Sequence, residues 1–201
     1  MKDLNEDFVK DMPGEKEQSP IITSVGKESP YDPLRGGDEN PEVIERDPEM
    51  KISEHITYRE ATESFTAERL DVKNEPTDEQ LEVMKVTAKK VFEPVRRFWK
   101  VPIWITSFFR TAEVNAGIPG SKGSQHMDGE AIDMDAQVYG HISNRQIFEY
   151  IRDNCIFDQL IWEEGTDEEP AWVHVSYRAG NNGMEVLRKT RKKGKVKYVR
   201  L

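Results

Sequence analysis

Two short segments of this chain place metal-ligating side chains within apolar, strand-like sequence. The first alternates from residue 131 to residue 136, so that Ile132 and Met134 fall on one face of a strand. Asp133 falls on the other face, and a polar loop containing Gly129 leads directly into the segment. A carboxylate on a buried strand needs a partner, and a divalent metal supplies one.

Two histidines complete a possible set of ligands for that metal. His126 precedes Asp133 by seven residues, and His174 lies in the strand-like sequence Trp-Val-His-Val-Ser. Two imidazoles and one carboxylate hold zinc tetrahedrally and leave the fourth position to water, as in catalytic sites. Each residue type alone is more typical of a cap or a turn, but their combination favours a metal. The other histidines, His55 and His141, stand in no motif and are interpreted as surface or capping residues.

The pattern Ser-x-His-x-x-Gly-x-Ala-x-Asp, followed by Trp-Val-His-Val-Ser, resembles the zinc D-Ala-D-Ala carboxypeptidase family of peptidoglycan peptidases. That family includes phage endolysins and shares its fold with the hedgehog signalling domain. The similarity runs from Ile52 to Arg188 and includes residues 107–110 and 157–163. It implies an α+β fold, peptidoglycan stem peptides as substrate, and one Zn²⁺ per chain.

The resemblance also implies which residues surround the zinc. His126, Asp133 and His174 match the family's metal ligands. Many members carry an acidic residue three positions before the last histidine, where this chain has Ala171. The hedgehog-type arrangement instead uses a glutamate at the end of the preceding strand. Here that residue is Glu163, which we expect to be the catalytic base.

Several other residues of the motif region are candidates for contact with substrate. Arg110 matches the family arginine that holds a substrate carboxylate or carbonyl, a task suited to a guanidinium fork, although a structural ion pair is the alternative. Ser124 is expected to hydrogen-bond substrate or to shape its loop. Trp172 is expected to form a wall of the substrate site or part of the core. Glu164 and Glu169, in the acidic turn that follows Glu163, are alternative bases.

The order of predicted elements indicates an α+β domain with an antiparallel sheet and flanking helices. Capping boxes at Thr57 and Thr77 predict a short helix to about Leu70 and a long amphipathic helix that Pro94 kinks or ends. The long helix has apolar residues at positions 81, 84, 88, 91, 95 and 98. A third capping box at Ser143 predicts a further helix. Strands are predicted over residues 101–108, 131–136, 158–163 and 171–177, with an edge strand over 195–201 and a loop over 110–125.

Residues 1–50 differ in composition from the rest of the chain. They contain fourteen acidic and six basic residues, a net charge of −8 out of the total of −9, and six of the eleven prolines. Such a segment buries too little apolar area to fold alone, so we expect an extended or disordered tail. The predicted catalytic domain is then residues 51–201. The tail is expected to dock on a partner, with another virion protein as one candidate.

The remaining sequence excludes several classes of protein. The chain is acidic and contains no recognised nucleic-acid module, and it has no apolar run long enough to cross a bilayer. Its first residues are acidic and do not resemble a secretory signal. For an enzyme of the cell wall, this is typical of a phage product that stays in the host cytoplasm until lysis or is carried in the virion.

Three functions remain open when the residues are taken together with the resemblance. The leading one is a zinc peptidase that cuts a bond next to a D-amino acid in peptidoglycan, as a carboxypeptidase or an endolysin. A non-catalytic wall-binding or virion structural protein is the second, favoured by the alanine at position 171. A non-haem iron oxygenase ranks last, because its histidine and carboxylate ligands are usually two residues apart.

Overall fold

A six-stranded sheet forms the centre of the domain in this computed structural model, which describes residues 45–119, 121–192 and 195–201. The strands are β1 (Trp104–Ser107), β2 (Ala131–Asp135), β3 (Gln159–Glu163), β4 (Trp172–Ser176), β5 (Glu185–Lys192) and β6 (Lys195–Arg200). Their spatial order is β1-β2-β4-β3-β5-β6. All neighbours are antiparallel except β3 and β5, which are parallel. The predicted α+β class with an antiparallel sheet is confirmed, apart from this one parallel pair.

Six α-helices accompany the sheet in the described part of the chain. They are α1 (Tyr58–Thr62), α2 (Phe65–Leu70), α3 (Asp78–Thr87), α4 (Glu93–Trp99), α5 (Ala112–Ala116) and α6 (Asn144–Asn154). The three predicted capping boxes, at Thr57, Thr77 and Ser143, are all present. Within the described residues, no helix combines the length and the apolar character that a membrane span requires.

Two of the helix predictions were wrong in detail. The first helix is divided, because the Ser64 hydroxyl accepts a hydrogen bond from the backbone N–H of Ala67 and so begins α2. The segment predicted as a loop after Arg110 contains α5, which Thr111 caps in the same way. Both corrections come from single serine or threonine caps without the glutamate or glutamine that completes a capping box.

The long amphipathic helix accommodates Pro94 through a widened turn. Regular α-helix ends at Thr87, residues 88–92 form a π-helical turn, and α4 then begins with Pro94 in its first turn. Because proline lacks an N–H group and its ring crowds the carbonyl four residues earlier, a regular helix would be strained there. The π turn moves this irregularity into a segment whose Val91 and Phe92 are buried.

The predicted apolar face of this helix is largely confirmed. Its first five positions are buried: Leu81, Met84, Ala88, Val91 and Val95. Phe98 was expected to join them but is 59% exposed. Its ring instead lies against Tyr150 of α6, with the two ring centroids 4.6 Å apart. The contact lies at the edge of the domain, so an aromatic pair there replaces full burial.

The sheet separates apolar from polar side chains as the alternation in β2 predicts. Ile132 and Met134 of β2 are fully buried, as are Val173 and Val175 of β4, and they belong to one cluster with Met84 of α3. The intervening residues of the same strands face the opposite side. That second face carries the polar residues Asp133, His174 and Glu163.

The C-terminal hairpin contains a strand that the sequence did not indicate. The predicted edge strand is present as β6, but β5 before it was not anticipated. Its sequence, Glu-Val-Leu-Arg-Lys-Thr-Arg-Lys, is mostly charged and shows no apolar alternation. It becomes a strand because it pairs with the free edge of β3, which satisfies the backbone groups of both strands.

The folded domain already includes residues 46–50. The Met50 carbonyl accepts a hydrogen bond from the N–H of Tyr58, and Arg46 pairs with Asp78 at 2.6 Å. Residues 1–44 lie outside the described residues, so the division of the chain into a tail and a domain stays a prediction.

Glu93 is expected to be important for the stability of the domain. Its carboxylate, with a side chain 1% exposed, accepts hydrogen bonds from the Ser53 hydroxyl and the His55 backbone N–H, at 2.6 and 2.9 Å. Burial alone would raise the pKa of Glu93, but the hydrogen bonds from Ser53 and His55 outweigh it and lower the pKa below its ordinary value of 4.5. We expect Glu93→Gln to reduce the free energy of unfolding by about 2 kcal/mol, because an amide cannot accept all of these bonds.

The measurement is urea unfolding at pH 7 and at lower pH. Because the folded pKa is depressed, the stability that Glu93 contributes is present above pH 4.5 and is lost as the pH falls through the folded pKa. The difference between the wild type and Glu93→Gln therefore shrinks in acid. Glu82→Gln, at an exposed ion pair with Lys85, is the control and should change stability by less than about 0.5 kcal/mol. Equal effects of the two variants would contradict this assignment.

Candidate metal centre

The antiparallel pairing of β2 with β4 brings the first two candidate ligands together. Asp133 lies directly opposite His174 in the register of these strands. Asp133 Oδ1 is 2.8 Å from His174 Nδ1, and both residues are 8% exposed. Forty-one positions separate them in the sequence, so only the strand pairing makes them neighbours.

His126 reaches the same point from the loop before β2. It lies in a 3₁₀ turn, Gln125–Asp128, and is buried. Its Nδ1 atom is 2.7 Å from the carbonyl oxygen of Phe108. Since a carbonyl only accepts hydrogen bonds, Nδ1 carries the proton and Nε2 keeps its lone pair. Nε2 lies 3.2 Å from Asp133 Oδ2 and 3.3 Å from His174 Nδ1.

Gly129 holds the His126 loop close to α3. It adopts a φ of +74°, a conformation that favours glycine, and a Cβ atom there would lie 2.7 Å from the side chain of Met84. Gln80 of α3 also donates a hydrogen bond to the carbonyl of Met127 in the same loop, at 2.8 Å. The glycine in the motif therefore serves the packing of the loop that presents His126.

The protonation states of the cluster suit a metal. Burial lowers the pKa of His126 below its ordinary value, although Asp133 partly opposes this, so its imidazole is neutral near pH 7. For Asp133, burial acts to raise the pKa, but His126 and His174 outweigh it and hold the pKa well below its usual range. Neutral imidazole and ionised carboxylate are the forms that bind a metal.

The donor set fits a single tetrahedral ion with an open position. One ligand atom from each of His126, Asp133 and His174 lies within 4.8 Å of the others. The N₂O composition and the fixed tautomer of His126 are typical of catalytic zinc sites. A second group of the same kind, Glu54, His55 and Glu93, fits less well, because its buried member already accepts hydrogen bonds from Ser53 and His55.

Glu163 lies on the same face of the sheet as the ligand cluster. It ends β3 and is paired with Trp172, while His174 lies opposite Ile161, two residues earlier on the same face. Diagonal neighbours of this kind are roughly 7–8 Å apart, which leaves room for a water molecule. Glu163 is 5% exposed, and burial raises the pKa of its carboxyl, an effect that Lys189 partly offsets.

Six of the seven sequence-predicted site residues line one cleft of about 1050 Å³: Arg110, Ser124, Asp133, Glu163, Trp172 and His174. The seventh, His126, is buried and does not line it. Arg110 is directed at the cluster, with Nη2 3.4 Å from Asp133 Oδ2 and Nε donating to Ser107 at 3.0 Å.

The two alternative bases are placed differently from Glu163. Glu169 accepts hydrogen bonds from the backbone N–H groups of Asn144 and Arg145 and so caps α6. Glu164 pairs with Arg191 at 3.4 Å. Neither residue lines the cleft that contains the ligand cluster.

Two residues near the site carried no signal in the sequence. Asn74 donates to the carbonyls of Thr62 and Phe109 and accepts from the N–H of Thr111, which fixes the segment on either side of Arg110. Lys189 of β5 places its ammonium group 2.8 Å from Glu163. Both are distant in sequence from the motifs, so only the register and packing of the fold could have revealed them.

The fold and the ligand set together are those of a metal-dependent hydrolase of the peptidase type. The family model for Peptidase M15 matches residues 54–176, more than half of the chain. The protein therefore belongs to the peptidase M15 family, whose members are zinc-dependent metallopeptidases. The matched range includes the three candidate ligands and Glu163 but ends before β5 and β6. Among curated proteins, none matches this chain.

His174→Ala is expected to abolish metal binding without unfolding the domain. Removing one of three protein ligands leaves too few donors for a tight site. The measurement is zinc per chain by plasma mass spectrometry after loading and dialysis, with circular dichroism to follow helical structure. His141→Ala, at an exposed histidine outside the cluster, is the matched control and should bind metal like the wild type. Stoichiometric zinc in His174→Ala would show that the cluster is not the metal site.

Proposed function

We propose that this protein is a zinc-dependent peptidase that hydrolyses a peptide bond next to a D-amino acid in peptidoglycan, as a carboxypeptidase or an endolysin-type endopeptidase. Membership of the peptidase M15 family supports the reaction class. The observation that carries the proposal is that Glu163 lines the same cleft as Asp133 and His174.

The metal would be held by His126, Asp133 and His174. Zinc held by these residues would supply a Lewis acid that lowers the pKa of a water molecule to about 7 and polarises a carbonyl group. The three residues supply two neutral donors and one charge. Arg110, which lies beside Asp133, adds a further positive charge at the edge of the cluster.

Glu163 would move the proton that hydrolysis requires. Its carboxylate takes a proton from the attacking water as the new C–O bond forms, and it returns that proton to the leaving nitrogen as the C–N bond breaks. Oε2 of Glu163 is buried beside the Lys189 ammonium group, and the residue lines the cleft that also contains Asp133 and His174. Burial raises the pKa of this carboxyl and so makes it a better proton acceptor than an exposed glutamate.

Substrate contacts would come from the walls of the cleft. Arg110 and Ser124 offer hydrogen-bond donors to a substrate carbonyl or carboxylate, and Trp172 offers a half-buried aromatic surface. A stem peptide is rich in carboxylate and amide groups, which these donors suit. The bond that is cut depends on how these groups orient the peptide.

One observation favours the alternative of a non-catalytic wall-binding or virion protein. The cleft-lining position three residues before His174 is Ala171, so the acid that many family members carry there is absent. The backbone N–H of Ala171 instead donates to the carbonyl of Glu163 at 2.9 Å. A catalytic role would therefore require Glu163 to supply the carboxylate that is absent at position 171. In either role, docking of residues 1–50 on a virion protein remains part of the proposal.

Digestion of peptidoglycan tests the function directly. The full chain, loaded with zinc, is incubated with purified peptidoglycan with and without a chelator, and the products are identified by mass spectrometry. We expect new amino groups next to a D-residue, their loss with chelator and their recovery when zinc is restored. A zinc-loaded protein that binds peptidoglycan but releases nothing would establish the non-catalytic alternative.

Glu163→Gln is expected to lower kcat by at least roughly 100-fold, since the amide cannot accept the proton. Zinc content should remain close to that of the wild type, and the domain should remain folded. Glu164→Gln is the matched control, one residue away and outside the cleft, and should keep nearly full activity. The opposite ranking of the two variants would move the base to Glu164.

The pH dependence of kcat/KM provides a second test of Glu163 as the base. Protonation of Glu163 in acid removes the base, and burial raises the pKa of this carboxyl above its ordinary value of 4.5. The acid limb of the wild-type profile should therefore lie above pH 4.5, and the residual activity of Glu163→Gln should not follow that limb.

A further inference from the structure

Glu163 forms an ion pair with a lysine from the C-terminal hairpin. Lys189 lies directly opposite Glu163 in the parallel pairing of β3 with β5. Its Nζ atom is 2.8 Å from Glu163 Oε2, and the two side chains are only 15% and 7% exposed. Two opposite charges at this distance form an ion pair in the lining of the cleft.

The Lys189 ammonium group is held from more than one side. It lies 5.7 Å from the centre of the Trp172 ring, within the distance of a cation–π contact. Tyr198 of β6 is the strand partner of Lys189 on its other side, and it also lines the cleft. Trp172, Glu163, Lys189 and Tyr198 thus form one row across four adjacent strands on the same face of the sheet.

This row gives the lysine a defined effect on the glutamate. A carboxylate this deeply buried is costly to keep ionised without a nearby cation. Asp133 adds a second negative charge to the same cleft, so the need for a cation is greater. Lys189 supplies the cation and, because Trp172 limits the position of the ammonium group, it also limits where the Glu163 carboxylate lies.

We propose that Lys189 is a positioning residue for Glu163, and that the β5–β6 hairpin, which lies beyond the family match at residues 54–176, completes the active site. The inference rests on the proposed function, because the role of Lys189 is expressed through the base. The lysine itself neither binds the metal nor takes the proton. It keeps the glutamate ionised and directed into the cleft.

Three variants of the full chain separate this role from a general effect of charge. Lys189→Met removes the ammonium group while keeping the length of the side chain, and Lys189→Arg keeps a cation. Lys197→Met is the matched control, because Lys197 lies in the same hairpin, is exposed and does not line the cleft. We expect Lys189→Met to lower kcat roughly 10- to 100-fold with little change in KM. Lys189→Arg should recover part of this loss, and Lys197→Met should behave like the wild type.

A double-mutant cycle shows whether Lys189 acts through Glu163. In a Glu163→Gln background there is no carboxylate to position, so adding Lys189→Met should reduce kcat by less than about 2-fold. An equal loss in both backgrounds would overturn the inference, since the two residues would then act independently. Zinc content and the free energy of unfolding are measured for every variant, and Lys189→Gln replaces Lys189→Met if the latter does not fold.

A measurement that needs no activity completes the test. The Glu163 carboxyl is followed by carbon-13 NMR as a function of pH in the wild type, Lys189→Met and Lys197→Met. Loss of the cation should move the Glu163 midpoint to higher pH in Lys189→Met alone. An unchanged midpoint together with unchanged kcat would overturn the inference. An inactive wild type that still shows the shift would contradict the proposed peptidase function while leaving the ion pair established.

Discussion

The buried carboxylate of Asp133 is the group on which the organisation of this domain depends. An ionised carboxylate in the middle of a sheet is unfavourable unless cations or hydrogen-bond donors surround it. Here the imidazoles of His126 and His174 and the guanidinium of Arg110 all lie within 3.4 Å of its oxygens. These partners come from a loop, a neighbouring strand and the segment after β1. A shift of the β2–β4 register by one residue would turn Asp133 towards the apolar face, so the cluster and the sheet specify each other.

The two faces of the sheet differ in composition, because one forms the apolar core and the other carries the polar residues of the cleft. The face that packs against the helices is apolar, with Met134 and Val173 fully buried. The opposite face presents the ligand cluster and Glu163 to the cleft, yet these polar residues are nearly as buried as the core. The central strands are therefore enclosed on both sides. This enclosure lowers the local dielectric, which strengthens each ionic contact in the cleft and makes each unpaired charge costly.

The C-terminal hairpin covers the edge of β3 and so completes this enclosure. Without β5, the edge of β3 would be unpaired and Glu163 would be more open to solvent. With β5, the edge is paired, and Lys189 balances the charge that Glu163 brings into the cleft. The mostly charged sequence of β5 thus supplies the positive charge that pairs with the buried Glu163 carboxylate. The same hairpin lies outside the range that matches the peptidase M15 family, so the matched segment and the hairpin meet at the contact of Glu163 with Lys189.

The sequence by itself determined the local features and indicated the candidate ligands. Capping boxes located three helix starts, alternation assigned the two faces of β2, and the donor chemistry of His126, Asp133 and His174 indicated one metal. These signals lie within a few residues of one another or within a recognisable motif. The tertiary structure alone decided that β5 is a strand, that Phe98 stays at the surface and that Lys189 faces Glu163. Each of these depends on a partner distant in sequence. A strand edge needs a second strand, an aromatic surface needs a second ring, and a buried charge needs an opposite charge before it is stabilised.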